Sequence, residues 1–150
     1  MTPNKAVLAA LMLQNSVPCL VAGSGSYSQI VVCGGNPPDD SEVDAIKSIG
    51  DARITNNRIV QFSQYPGNNF TYGFISGQHA YGWNFLKDVK GTVYGEGWPT
   101  WAVFFNNGQH NLMFVDAGSE GDGCTIEISG GYVSSGDVVI LKKVSLSLWR

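Results

Sequence analysis

The chain has 150 residues, of which 43% are hydrophobic and only 14% are charged, and its net charge is −3. That balance excludes a disordered chain, and the length suits one domain with a single hydrophobic core. Because the lysines and arginines are not clustered, neither nucleic acid nor an anionic membrane is an expected partner. Nineteen glycines set among short apolar runs predict an all-β protein with many turns.

Residues 1–17 predict an N-terminal helix or arm, with the helix itself over about residues 3 to 15. Thr2 is a suitable N-cap, and Pro3 suits the first helical position. The apolar stripe of this helix consists of Val7, Leu8, Leu11 and Met12. One lysine followed by a short apolar run also fits the core of a weak signal peptide, although no clear cleavage site precedes Pro18.

Residues 18–150 have the two-residue period of β-strands and complete the single domain. The expected strands are Cys19–Ala22, Gln29–Cys33, Arg58–Ser63, Phe70–Ile75, Thr100–Asn106, Asn111–Asp116, Cys124–Ser129 and Asp137–Trp149. Glycine-rich turns separate them, so we predict a jelly-roll-like β-sandwich of about eight antiparallel strands. Pro37 and Pro38 interrupt the pattern in a loop with a helical turn from Ser41. We interpret residues 76–91 as an excursion between strands.

The most regular stretch, "GWPTWAVFFNNGQHNLMFVDAG", predicts a β-hairpin whose two apolar strands flank an Asn-Gly turn. By the two-residue period, one set of its side chains is expected to face the core. That set is Trp101, Val103 and Phe105, with Leu112 and Phe114 on the facing strand. The hairpin is therefore interpreted as structural.

The final strand contains a phase change that predicts a β-bulge. Val139 and Leu141 alternate on one face, whereas Val144 and the leucines after it alternate one residue out of step. One extra residue at Lys142–Lys143 would bring both sets to the same face of the sheet.

The beginning of this strand is apolar on both faces, because Val138 and Ile140 alternate with the core-facing residues. One face can fill the core, and the other needs a second cover. The N-terminal helix or a neighbouring subunit could provide it. A closed cyclic oligomer suits such a shared surface, and we predict a homotrimer.

Residues with reactive side chains are few, and no catalytic, cofactor-binding or metal-binding residue is expected. His79 and His110 fall in loops and are interpreted as exposed. The acidic loop "DAGSEGDGC" lacks the ligand spacing of a calcium loop, so we interpret it as a solvated turn rather than a metal site.

The three cysteines, Cys19, Cys33 and Cys124, also lack the spacing of metal ligands. We expect thiols that are buried or idle in a protein made in a reducing cytosol. The alternative is one disulfide with a spare thiol.

The aromatic residues allow two interpretations. Large rings can fill the core and the subunit contacts, or they can form an exposed platform that binds sugars. The tryptophans concerned are Trp83, Trp98, Trp101 and Trp149. We favour the first interpretation.

Several segments resemble a group of small structural proteins encoded in the head-and-tail modules of tailed bacteriophages. The segments are "IVVCGGNPPDD", with Gly35 and Pro37; "NNRIVQFS"; "GWPTWAVFF", with Thr100–Trp101; "NLMFVDAG"; and "CTIEISGGYVSSGDVVILKKVSLSL", with Ser135-Gly136-Asp137. The resemblance is strongest from residue 97 to 148. The segment "VPCLVAGSGSY" and residues 76–91 depart from the pattern of the group.

This resemblance implies a non-enzymatic virion protein, a capsid decoration (cement) protein that binds and stabilises the shell of the major capsid protein. It would be made in the host cytoplasm and lie on the capsid surface as a homotrimer, without cofactors, nucleic acid or membrane. The expected interface residues are Leu8, Leu11, Met12, Val138, Ile140 and Trp149. The alternative is a tail- or fibre-associated module that binds carbohydrate or another receptor.

Overall fold

A computed structural model describes residues 28–64, 70–75, 80–105 and 113–147, and the fold is analysed over these ranges. They contain two short helices and ten strands. In chain order these are β1 (Ser28–Cys33), α1 (Asp40–Ala45), α2 (Ala52–Thr55), β2 (Arg58–Gln64), β3 (Phe70–Ile75), β4 (Ala80–Phe85), β5 (Val89–Lys90), β6 (Thr92–Val93), β7 (Trp101–Phe105), β8 (Met113–Ser119), β9 (Ile126–Ile128) and β10 (Ile140–Ser147).

All ten strands belong to one sheet with the order β3-β4-β10-β9-β8-β7-β1-β2-β6, and β5 pairs with β10. The all-β prediction is therefore confirmed. The sheet is nearly barrel-shaped. It is mixed, because β8 and β9 run parallel while the other described pairs are antiparallel. The expectation of antiparallel pairing throughout is thus wrong for this one pair, and the jelly-roll sandwich is not confirmed.

A short segment, residues 89–93, connects β10 to β2 and so nearly closes this part of the sheet. Its first half, β5, pairs with β10, and its second half, β6, pairs with β2. Gly91 lies between them and donates its N–H to the carbonyl of Val139 at 2.9 Å. A Cβ atom on Gly91 would lie 2.5 Å from Cγ2 of Val60, so the closure requires a residue without a side chain.

The main hydrophobic core lies inside this nearly closed sheet. Seven strands around the ring contribute to it: Ile30, Val32, Ile59, Val60, Phe62, Val89, Ala102, Phe104, Met113, Val115, Ala117, Ile126, Ile128, Leu141 and Val144, joined by Val133 and Val139 from the connection before β10. Because the strands alternate their side chains, the residues between these positions lie on the outer face.

A second cluster covers part of that outer face. Trp101, Val103, Phe105 and Phe114 lie in it with Val31 and Cys33, beneath Val43, Ile46 and Ile54 from the helical region. The indole N–H of Trp101 donates to the carbonyl of Gly34 at 3.0 Å, and its ring stacks on Phe114. These hairpin residues are buried as predicted, but they lie on the outer face beneath the helical region, whereas Ala102 and Phe104 of the same strand enter the main core. Leu112 and the Asn-Gly turn lie outside the described residues.

The helical cover begins where the sequence predicts a helical turn. Asp39 caps α1 by accepting the N–H of Glu42, and the Glu42 carboxylate accepts the N–H of Asp39, a reciprocal capping box. Asp51 caps α2 by accepting the N–H of Arg53. These caps fix both short helices against the sheet although neither exceeds six residues.

Seven of the eight predicted strands appear, within a few residues at each end, as β1, β2, β3, β7, β8, β9 and β10. The eighth, Cys19–Ala22, and the N-terminal helix lie outside the described residues. The interpretation of residues 76–91 as an excursion is wrong, since β4 and β5 lie there. Gly82 of β4 stands opposite Gly73 of β3 and weakens the sequence signal, so pairing with β3 and β10 defines the strand.

The predicted bulge in the final strand is present. Leu141 stands opposite Ile128 and Lys143 stands opposite Glu127, so Lys142 is the extra residue. As a result Leu141 and Val144 are both buried in the inner core, whereas Lys142 is exposed. The bulge therefore corrects the phase of the apolar pattern.

Deleting Lys142 should shift one part of β10 to the wrong face of the sheet and remove either Val144 or Leu141 from the core. We expect the free energy of unfolding to fall by about 3 kcal/mol or more, as for the loss of a large core side chain. Urea denaturation measures this loss. Lys142→Ala is the matched control and should change stability by less than about 0.5 kcal/mol. A deletion variant as stable as the control would contradict the bulge.

Candidate functional site

Five large hydrophobic side chains are exposed in the described ranges, and they fall into two groups. Their exposed fractions are 60% for Leu86, 53% for Tyr94, 61% for Trp98, 50% for Tyr132 and 70% for Val138. Leu86 lies beside the start of β10 and Val138 just precedes it, and with Ile140 they form what we term the β10 surface. Trp98, Tyr132 and Tyr94 lie on the segments after β6 and after β9 and form what we term the aromatic surface.

The β10 surface borders a cleft of about 240 Å³ where β4 ends and β10 begins. Its apolar lining includes Leu86, Ile140 and Leu141. Lys87, Asp88 and Lys142 add charged groups at its edge. The cleft therefore combines apolar side chains with charges of both signs, a mixture that also occurs at protein contacts.

The structure places two of the predicted interface residues on this surface. Val138 is largely exposed, and Ile140 is half-buried beside the cleft. Both lie on the face opposite Val139 and Leu141, which are buried as expected. Leu86 completes the surface but was not predicted, since it approaches β10 only through the pairing of β5. Leu8, Leu11, Met12 and Trp149 lie outside the described residues.

In the aromatic surface, Trp98 is held in place while its ring stays exposed. Its indole lies directly over Gly131, where a Cβ atom would come within 2.9 Å of Cζ3 of the ring. The ring of Tyr132 meets it edge to face, with 5.9 Å between the ring centres. Trp98 thus has a defined orientation despite its exposure.

The two segments that carry these rings are tied together by backbone and side-chain hydrogen bonds. Gly97 and Val133 exchange N–H to carbonyl bonds of 3.1 and 2.8 Å. The Glu96 carboxylate accepts the N–H of Ser135 at 3.1 Å. These three bonds cross between positions 96–97 and 133–135, so the segments form one supported unit.

A polar cleft of about 310 Å³ adjoins the aromatic surface and extends to Gly97, the residue before Trp98. The Arg58 guanidinium lies 3.7 Å from the centre of the Tyr94 ring and donates to the side chain of Gln61. Its Nε is buried without a hydrogen-bond partner. Asn56, Asn57 and Glu96 also line this cleft, so both donors and acceptors face it.

The glycine-rich acidic loop after β8 is organised by Glu127, which sequence reasoning missed. The buried Glu127 carboxylate accepts the N–H groups of Gly121, Gly123 and Cys124 at 2.7–3.0 Å. Lys143 approaches it to 3.6 Å. A single strand glutamate gives no sequence signal for such a role, because the donors come from a loop that folds back over β9.

The pKa of Glu127 follows from this environment. Burial raises the pKa of the carboxyl, but the N–H donors of the loop and the charge of Lys143 outweigh burial, so the net shift is downward. The group is ionised at neutral pH and its oxygens are already occupied by the loop. It therefore serves to fold the loop and is poorly suited to proton transfer.

The two thiols in the described ranges, those of Cys33 and Cys124, both have raised pKa values. Cys33 is buried and free, and burial raises the pKa of its thiol to about 12, with the charge of Arg58 offsetting part of the rise. Cys124 is half-buried and free, and burial followed by the charge of Asp116 raises its pKa. A raised pKa leaves little thiolate at neutral pH. The prediction of a buried thiol holds for Cys33, and Cys19 lies outside the described residues.

The remaining candidates for chemistry do not form a site in the described ranges. His79 and His110 lie outside them. Within them, no group of three or more histidine, cysteine, aspartate or glutamate side chains is placed to hold a metal ion. In the same part of the chain, no helix combines the length and hydropathy required to cross a bilayer.

No family model, curated protein sequence or solved structure matches the chain.

Replacing Glu127 with Gln should destabilise the protein at pH 7 by about 1–3 kcal/mol, because the three N–H groups of the loop lose a charged acceptor. Urea denaturation measures the change, and the exposed Glu120→Gln in the same loop is the matched control. Equal stability of the two variants would contradict the role of Glu127.

The effect of Glu127→Gln should also depend on pH. A carboxyl whose folded pKa is lowered contributes stability that is fully present above its unfolded pKa, about 4.3 for glutamate. That contribution is lost as the pH falls through the folded pKa. The stability difference between wild type and variant should therefore shrink below about pH 4.3. A difference that grows on acidification would show that the sign is wrong.

Proposed function

We propose that the protein is a non-enzymatic structural component of a tailed-bacteriophage virion, a capsid decoration protein that binds the major capsid protein through its β10 surface. The observation that carries this proposal is the exposure of Leu86 at a cleft that Ile140 also lines, together with the exposure of Val138, two residues before Ile140 in the chain. Single exposed hydrophobics are ordinary, but apolar residues grouped at a cleft with a charged edge favour a docking role.

The support of β10 makes this surface suitable for docking. β10 pairs with β9 on one side and with β5 and then β4 on the other. Gly91 adds a hydrogen bond to Val139, directly between Val138 and Ile140 in the chain. Because the backbone here is already ordered, a partner that binds it loses little conformational entropy.

The proposal includes self-association as a homotrimer on the capsid surface, with the head favoured over the tail. Val138 and Ile140 face away from the core, and an apolar face on an ordered strand is stabilised when a second subunit or the shell covers it. Local threefold axes of a shell suit a closed trimer with one such contact per subunit. The resemblance to phage structural proteins supports the same assignment.

Mass spectrometry of purified particles of the phage that encodes the chain tests the assignment to the capsid. We expect each particle to contain on the order of hundreds of copies of the protein, since a decoration protein follows the symmetry of the shell. Roughly a dozen copies or fewer would place it in the tail or fibre instead. Its absence from particles would overturn the proposal.

Binding of purified variants to undecorated particles tests the surface. Val138→Asp should reduce binding by about tenfold or more, because it places a charge in the contact. It should fold normally, since Val138 is 70% exposed. Tyr132→Asp introduces the same charge on the aromatic surface and should bind normally. The reverse pattern would exclude the β10 surface as the docking site.

A further inference from the structure

The aromatic surface has a second property that docking through β10 does not use, namely an exposed ring with a fixed orientation. Trp98 is 61% exposed, yet Gly131 lies beneath it and Tyr132 flanks it. An exposed indole normally gains stability by packing against other side chains. Here one face rests on the backbone and much of the ring remains available to a ligand.

The cleft beside this ring is lined by residues that carry hydrogen-bond donors and by residues that carry acceptors. The residues that line the cleft reaching Gly97 include Asn56, Asn57, Arg58 and Glu96. Arg58 and Glu96 balance each other in charge. The cleft is therefore suited to an uncharged ligand with many hydroxyl groups, which both donate and accept hydrogen bonds.

We propose that the aromatic surface and its adjoining cleft bind a neutral saccharide. The axial C–H groups of a pyranose form an apolar face that packs on the electron-rich face of Trp98, with Tyr132 beside it. Hydroxyl groups of the same chain of sugars then reach Asn56, Asn57 and Glu96 in the cleft. This inference does not rest on the proposed capsid role, because it uses a different surface.

Other ligand classes fit the surface less well. Nucleic acid requires a cluster of basic groups, whereas the chain has a net charge of −3 and this cleft has one arginine already stacked on Tyr94. An acidic saccharide would meet the Glu96 carboxylate without a second cation among the residues lining the cleft. Neutral sugars satisfy the donors and acceptors without leaving a charge unpaired.

Calorimetric titration of the full chain tests the proposal, with neutral tetrasaccharides of glucose, galactose, mannose or N-acetylglucosamine as probes. We expect at least one of them to bind, and Trp98→Ala to weaken that binding by about tenfold or more. Val138→Ala is the control and should bind as wild type. Binding by none of the probes, or equal binding by Trp98→Ala, would overturn the proposal. Binding of only acidic saccharides would also overturn it.

A second variant separates loss of the ring from loss of its orientation. Gly131→Ala keeps every side chain of the site, but its Cβ would lie 2.9 Å from the indole and must displace the ring. We expect the variant to remain folded by circular dichroism and to bind the same saccharide more weakly than wild type. Unchanged binding would show that the fixed orientation of Trp98 plays no part, and would remove the ground for the proposal. Particle binding by both variants should be retained, which keeps this test distinct from that of the capsid role.

Discussion

The closure of the sheet at residues 89–93 is the constraint on which the rest of the described structure depends. These five residues pair with β10 at one end and with β2 at the other, and so connect the two ends of the six-strand run β10-β9-β8-β7-β1-β2. Without that connection β2 would lose its neighbour on this edge, and β10 would lose its partner at Ile140 and Leu141. The closure is possible because Gly91 leaves room for Val60 and Phe62, which fill the core beneath it.

The same closure positions both candidate surfaces, because they lie at its two ends. Leu86 immediately precedes the closing segment and is brought against the start of β10. Tyr94 and Trp98 follow it and are held beside β2 and the loop around Tyr132. The β10 surface and the aromatic surface therefore differ in their side chains, but the same closing segment positions both. A partner at each surface could be bound without rearranging the sheet.

Local patterns in the sequence predict much of this fold, whereas its long-range contacts leave little trace. The bulge at Lys142 could be predicted because a phase change in an alternating strand is a local signal. The roles of Gly91 and Glu127 could not, since each depends on groups far away in the sequence: Val60 and Phe62 for one, and a folded-back loop for the other. The exposure of Val138 could be predicted from the alternation of side chains along the final strand. Leu86 could not be assigned to the β10 surface, because only the pairing of β5 with β10 brings it there.

The most direct test of this account is the stability of Gly91→Ala, measured by urea denaturation. A methyl group at this position would lie 2.5 Å from Val60 and 2.8 Å from Phe62, both buried, so the closing segment or the core must shift. We predict a loss of about 1–3 kcal/mol in the free energy of unfolding. Gly50→Ala is the matched control, since its Cβ would meet only Ser48 at 3.9 Å, and it should be neutral or slightly stabilising. Equal stability of the two variants would contradict closure of the sheet at Gly91.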